Sequence, residues 1–277
     1  DKIMQIGIST ASFFTKLRTE EAVSKIRELN ISFCEVFLSS FSEYKESFIN
    51  ELLDRKGDLQ VLSVHSLNQQ FEPELFSPLP RTRKDNEEVF AQILKGASRL
   101  GAKYYTFHGP AKFKRIKYNL NYQKIGKRVE ELCDFVERES GGVTALTYEN
   151  VHWTYYNDPE YITNISPYTR VKTCLDIKQA KQSQIDVYKY LEKMGDRLVN
   201  VHLCDYNEDG SLALPGKGSF DFTKLFYTLL EMGYKGDAII EVYPENYNTF
   251  DELVRCYDYL NQCLYNAKNY GGTLYGK

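Results

Sequence analysis

Four mainly apolar runs of the chain each finish on an ionisable residue: TALTYE on Glu149, VKTCLD on Asp176, LVNVH on His202 and DAIIE on Glu241. Three carboxylates and one imidazole make a ligand set for a divalent cation, hard oxygen donors with a single nitrogen. Brought together without a cation, the carboxylates would repel one another, and one or more would be driven toward the protonated form. A doubly charged ion relieves that repulsion, with a neutral His202 as the fourth donor. Taken singly, each residue has a plainer explanation. Asp176 could cap the helix that follows it, and Glu149 or Glu241 could pair with a neighbouring lysine. Their common phase argues for one site. They stand 27, 26 and 39 residues apart, and each interval accommodates a strand with its return helix.

Two more histidines hold equivalent places, His65 at the end of VLSVH and His108 at the end of YYTFH. They could complete a second metal position that shares Glu149, hydrogen-bond a substrate, or be satisfied by ordinary hydrogen bonds at a strand end. His152, in the stretch after Glu149, reads as a surface or lid residue.

Residues spread this widely need a frame that returns each of them to one place. Strands are expected at 3–9, 33–38, 60–65, 103–108, 144–149, 171–176, 198–203 and 237–243, with helices near 19–30, 43–55, 84–100, 121–139, 179–194, 221–232 and 249–266. Segment 84–100 shows the helical period, with Val89, Ile93, Ala97 and Leu100 on one stripe. Gly101 follows as a left-handed terminator. Eight strands, each leading into a helix, predict a parallel sheet that closes into a (β/α)8 TIM barrel as one domain over 1–277. The stretch 150–170, rich in Tyr, Asn and Pro, reads mostly as loop. An open doubly wound sheet is the structural rival, but no glycine-rich phosphate fingerprint follows any strand. In a barrel all four ionisable ends share the rim where barrel enzymes assemble active sites.

Among the 277 residues, 42% are hydrophobic and 26% charged, with a net charge of -3. That balance offers no global attraction to nucleic acid or to an anionic membrane surface, so neither is expected as a partner. One basic run, KFKRIK at 112–117, could dock a phosphate or acidic group, although charge runs usually face water. The six cysteines form no C-x-x-C pair and are expected as reduced, buried thiols. No apolar stretch is long enough for a membrane span, and the start of the chain lacks the apolar core of a secretion signal, so a cytoplasmic protein is expected.

In the order of its motifs the chain resembles the xylose-isomerase-like TIM-barrel superfamily. That group includes ketose 3-epimerases, hydroxypyruvate isomerases, sugar-phosphate epimerases, inosose and dehydroshikimate dehydratases, and endonuclease IV. The series runs through His108-Gly-Pro, Glu149-Asn, Leu-Asp176, His202-x-x-Asp205, Gly216-x-Gly218 followed by Phe220-Asp-Phe, and Glu241. The resemblance implies one divalent metal on Glu149, Asp176, His202 and Glu241, with manganese or magnesium favoured and zinc or cobalt as alternatives. It also implies that Glu149 and Glu241 move protons through a metal-stabilised enediolate. The expected activity is isomerisation or epimerisation of a ketose sugar or sugar phosphate, and relatives of this kind form homo-oligomers. Lys178, Gln179 and Asp205 become candidate substrate contacts, and Trp153 and Phe14, with Tyr155, Tyr156 and Phe13, candidate apolar walls over a sugar. Family members often carry D-x-x-H after strand 6, where this chain has Asp176-Ile-Lys-Gln179. The stretch 206–218 holds no histidine, so a three-zinc nuclease site is incomplete. His65, His108 and Glu149 keep a binuclear centre open. An endonuclease IV-like phosphodiesterase and a dehydratase of a cyclic polyol or keto acid are therefore the rival activities.

Overall fold

The computed structural model describes residues 2–113, 117 and 119–274, with the backbone alone for residue 68 and for 271–274. Residues 114–116 of the basic run lie outside the described residues. Eight short segments rich in apolar and β-branched residues pair in parallel: β1 Ile6–Ser9, β2 Phe33–Leu38, β3 Gln60–Ser66, β4 Tyr104–Phe107, β5 Ala145–Glu149, β6 Lys172–Asp176, β7 Leu198–Leu203 and β8 Asp237–Ile240. They close in the order β1-β8-β7-β6-β5-β4-β3-β2. The seam is the parallel pairing of Ile6, Gly7 and Ile8 with Ala238, Ile239 and Ile240. Closure rules out the open doubly wound sheet and establishes the (β/α)8 TIM barrel.

The outer layer comprises α1 Thr19–Glu28, α2 Glu46–Lys56, α3 Pro80–Arg99, α4 Tyr122–Glu139, α5 Glu160–Ile165, α6 Ile177–Gln182, α7 Val187–Met194, α8 Phe222–Glu231 and α9 Phe250–Leu274. On α3 the residues Phe90, Ile93, Leu94 and Ala97 are buried against the sheet, as a 3.6-residue period requires. Gly101 follows with φ +74°, a backbone that L side chains rarely adopt. Two expected elements differ. The helix expected over 179–194 is two helices, because Gln184 takes φ +59° and Asp186 starts α7 by accepting the Tyr188 N–H at 3.0 Å. The segment read as loop after β5 contains α5. Its first turn is supported by Asp158, which accepts the Glu160 N–H at 2.9 Å, and it gives way to a 3-10 turn at Ser166–Tyr168.

Alternate residues of a strand share a face, so Phe33, Glu35 and Phe37 rise in order through the barrel interior. At the lower level Phe33, Leu62 and Ile239 form a small apolar cluster of their own, with Tyr104 against it. Gly7 is required there: a Cβ on it would stand 2.4 Å from the Phe33 carbonyl oxygen. At the middle level the interior turns polar, with Glu35, Ser63, Thr106 and Asn200 all fully buried. The upper level carries the ionisable rim. All six cysteines are free and buried. Among the described residues no helix is long and apolar enough to cross a membrane.

Candidate metal centre

The barrel gathers the other three rim residues around His202. Glu149 and Asp176 end β5 and β6, His202 is the last residue but one of β7, and Glu241 lies one residue past β8. Asp176 and His202 are direct partners in the β6–β7 register. Glu241 keeps the line of β8 because its N–H donates to the Leu203 carbonyl at 3.0 Å. Beyond it the expected strand stops, since the Val242 N–H turns to Ser12 Oγ at 3.1 Å instead of the ladder. Nδ1 of His202 is 3.4 Å from Glu149 Oε1, 3.6 Å from Asp176 Oδ2 and 3.2 Å from Glu241 Oε2.

One donor atom from each of Glu149, Asp176 and His202 lies within 4.8 Å of the others, a spacing that ligands about 2.0–2.6 Å from one ion can reach. His202 Nδ1 and Glu241 Oε2 are buried and make no hydrogen bond. Buried polar atoms are normally satisfied, so these two atoms and their neighbours fit a divalent cation.

The opposite edge of His202 explains why Nδ1 faces the carboxylates. Nε2 lies 3.1 Å from Oε2 of Glu35, which also accepts from Ser63 Oγ at 2.5 Å and Thr106 Oγ1 at 3.4 Å. A carboxylate that takes the Nε2 proton's hydrogen bond leaves the Nδ1 lone pair for a metal and fixes the plane of the ring. Glu35 was absent from the residues singled out in the sequence, although an acid in the middle of the apolar run FCEVFL was the available signal. Asp176 does cap its helix, with Oδ1 accepting the Gln179 N–H at 2.8 Å, and its other oxygen is the one turned to His202. Asn150 stitches β5 to β6, accepting the Asp176 N–H at 2.8 Å and donating to the Asp176 carbonyl at 3.1 Å.

His65, His108 and Glu149 also bring donor atoms within 4.8 Å of one another. His65 Nδ1 donates to the Thr106 carbonyl at 3.1 Å, which leaves Nε2 as its donor atom. His108 Nε2 is 2.8 Å from Glu149 Oε2. Hydrogen bonding between loops after β4 and β5, including Lys112 N–H to the Trp153 carbonyl at 2.8 Å, brings the Trp153 ring within 5.9 Å of His108. Phe37, another residue missed in the sequence, packs 5.1 Å from the His65 ring.

The charges follow from this crowding. Burial raises the Glu149 and Glu241 carboxyls above the ordinary range, with His202 working against it. Burial favours neutral His202, but Cys174, Glu35, Glu241 and Glu149 around it outweigh that and hold the ring well above its usual value. Burial lowers His108 to about 4 and lowers His65 as well, so both are neutral donors near pH 7.

The remaining candidates divide. Lys178 is 5% exposed, with Nζ 3.7 Å from Glu241 Oε1. Gln179 Oε1 accepts from the His152 backbone N–H at 3.1 Å and lies 2.5 Å from its Nδ1, so Gln179 anchors the loop after β5. Asp205 is committed elsewhere: its oxygens accept the N–H groups of Tyr206, Gly216, Gly218 and Phe220 at 2.8–3.1 Å. It folds the loop after β7, and Gly218 is needed there because a Cβ would meet Asp205 Oδ1 at 2.4 Å. Phe14 is 54% exposed on the turn after β1, whereas Phe13 and Tyr156 are core residues.

Beneath His108 lies a buried carboxyl, also missed in the sequence. Glu72 accepts from the His108 N–H at 3.1 Å and from the Tyr105 hydroxyl at 2.8 Å, and burial pushes it up to about 8. A raised folded value means that its contribution to stability is complete below about 4.5 and is lost as pH rises through about 8. Glu72→Gln cannot ionise, so urea unfolding of the variant is expected to lose that decline between about 4.5 and about 8, worth a few kcal/mol. An unchanged pH profile would show that Glu72 is not the group responsible.

Comparison with known proteins agrees with this architecture. The sequence profile of the xylose isomerase-like TIM barrel family matches residues 23–259, and the chain belongs to that family. Fructoselysine 3-epimerase of Shigella flexneri is 25% identical over 130 residues, 45% of this chain and 46% of that protein. The match thus spans under half the length of that relative. Inosose dehydratase of Clostridium tetani (strain Massachusetts / E88) is 22% identical over 251 residues, 86% of this chain and 78% of that one. The crystal structure of a D-tagatose 3-epimerase-like protein superposes with a TM-score of 0.77 at 20% identity, covering 96% of this chain and 99% of that chain.

Proposed function

We propose that the protein is a divalent-metal-dependent isomerase or epimerase of a ketose sugar or sugar phosphate. The observation that carries this reading is the convergence of Glu149, Asp176 and Glu241 oxygens within 3.6 Å of one buried imidazole nitrogen. An ion held by these four residues supplies Lewis acidity toward a substrate carbonyl. Glu149 and Glu241 do the proton work. They rise from β5 and β8, with two strands between them around the barrel. One removes the proton beside the carbonyl. The other returns a proton to the opposite face of that carbon, giving an epimer, or to the neighbouring carbon, giving an isomer. Carboxylates positioned beside the reacting carbon act as general base and, once protonated, as general acid. The relatives named as sugar epimerases support the substrate class. Three oxygen donors to one nitrogen favour manganese or magnesium over zinc or cobalt.

The test is hydrogen exchange into a panel of ketoses and ketose phosphates in D2O, followed by NMR. Exchange next to the carbonyl is expected with Mn2+, to fall to background with EDTA, and to return on adding Mn2+. Exchange indifferent to the chelator would reject the role of the ion, and no exchange on any ketose would reject the activity. Loss of water from an inosose would instead assign the dehydratase reading. The second donor group, His65, His108 and Glu149, favours a two-metal hydrolase as the other alternative. Two equivalents of tightly held zinc and cleavage of a phosphodiester would establish it.

A further inference from the structure

Lys178 is the second residue of α6, two positions after Asp176. Its side chain turns into the centre, where only 5% of the residue is exposed. Nζ lies 3.7 Å from Glu241 Oε1 and 4.7 Å from the centre of the Tyr243 ring. An ammonium buried this deeply is costly unless paired, and the group that pairs it is a candidate ligand. Glu241 therefore presents its two oxygens to different neighbours: Oε1 faces Lys178, and Oε2 faces His202 Nδ1 at 3.2 Å.

We propose that Lys178 is a resident cation of the metal centre, which shares Glu241 with the ion and lowers the affinity for it. This rests on the metal-dependent reading above. Before the ion binds, Lys178 balances carboxylates that would otherwise repel one another. Once the ion arrives, the fixed ammonium repels it across Glu241 and draws charge from that ligand. In a buried site such repulsion is weakly screened. The consequence is a centre that stays assembled when empty and releases its ion readily.

Titration calorimetry of the full chain with Mn2+ tests this. Lys178→Met is expected to bind Mn2+ at least tenfold more tightly than the wild type, whereas Lys178→Arg, which keeps the charge, stays within threefold of it. Lys178→Gln is the companion variant should methionine prevent folding, and the same tightening is expected. In metal-free protein the uncharged variant should melt at a lower temperature than wild type, and saturating Mn2+ should raise its melting point by the larger increment. Affinity unchanged or weakened in both uncharged variants, while the wild type binds, would overturn the role of Lys178 and leave the metal centre standing. Absence of Mn2+ binding in wild type and variants alike would overturn the metal-dependent reading together with this inference.

Discussion

Glutamine at position 149 or 241 will leave the barrel folded and lower ketose turnover by about 10²–10⁴-fold. The change is nearly isosteric and removes a group able to take a proton. Glu149 is anchored by His108 at 2.8 Å, and Glu241 by Lys178 at 3.7 Å, so neither side chain depends on the other for its place. Glutamine is a poorer ligand than carboxylate, and turnover is therefore to be measured at saturating Mn2+, with circular dichroism as the control for folding. A two-sided mechanism makes a finer prediction. With one carboxylate gone, the other still reaches its own face, so one epimer should continue to exchange its proton with solvent while conversion is lost. Near-wild-type turnover in either variant would remove that residue from the mechanism.

Much of this candidate site is legible in sequence because a parallel barrel strand is buried on both sides. An acid or histidine at the end of such a strand stands out from its apolar neighbours, as Glu149, Asp176, His202 and Glu241 do. The barrel itself is legible for the same reason, since eight apolar runs separated by amphipathic stretches admit few arrangements. Glu35 was harder to find. It sits mid-strand; Ser63 is its neighbour on β3, but Asn200 and His202 come from β7 and reach it only across the closed barrel. Glu72 lies outside regular strand and helix sequence, and nothing local marks it as buried. Asp205 shows a role that spacing does not reveal. Its position after His202 matched a motif, but four backbone N–H groups occupy its oxygens, and loop closure of that kind leaves no trace in residue spacing. The plain explanations also proved compatible with the site. Asp176 caps a helix and Glu241 pairs with a lysine, each through one oxygen, while the second oxygen of each faces His202.

Glu35 carries the other large expected effect. It is fully buried, and its Oε2 receives the hydrogen bond of the ligand-side histidine together with those of Ser63 and Thr106. Burial disfavours its charge, but His202 outweighs burial and holds the carboxyl at about 2. Its stabilising contribution is therefore present above about 4.5 and is lost as pH falls toward about 2. Glu35→Leu leaves His202 Nε2 and the Ser63 hydroxyl without this acceptor inside the barrel, and urea unfolding should show a loss of about 3–5 kcal/mol. Glu35→Gln still offers His202 an acceptor but no charge, so it should fold, flatten the acid limb of the stability profile and bind Mn2+ about 10–100-fold more weakly. The pair of variants separates two roles. A residue that only filled and satisfied the interior would lower stability in the leucine variant while the glutamine variant kept wild-type affinity for Mn2+. A residue that orients a ligand and raises its basicity must move metal affinity in both.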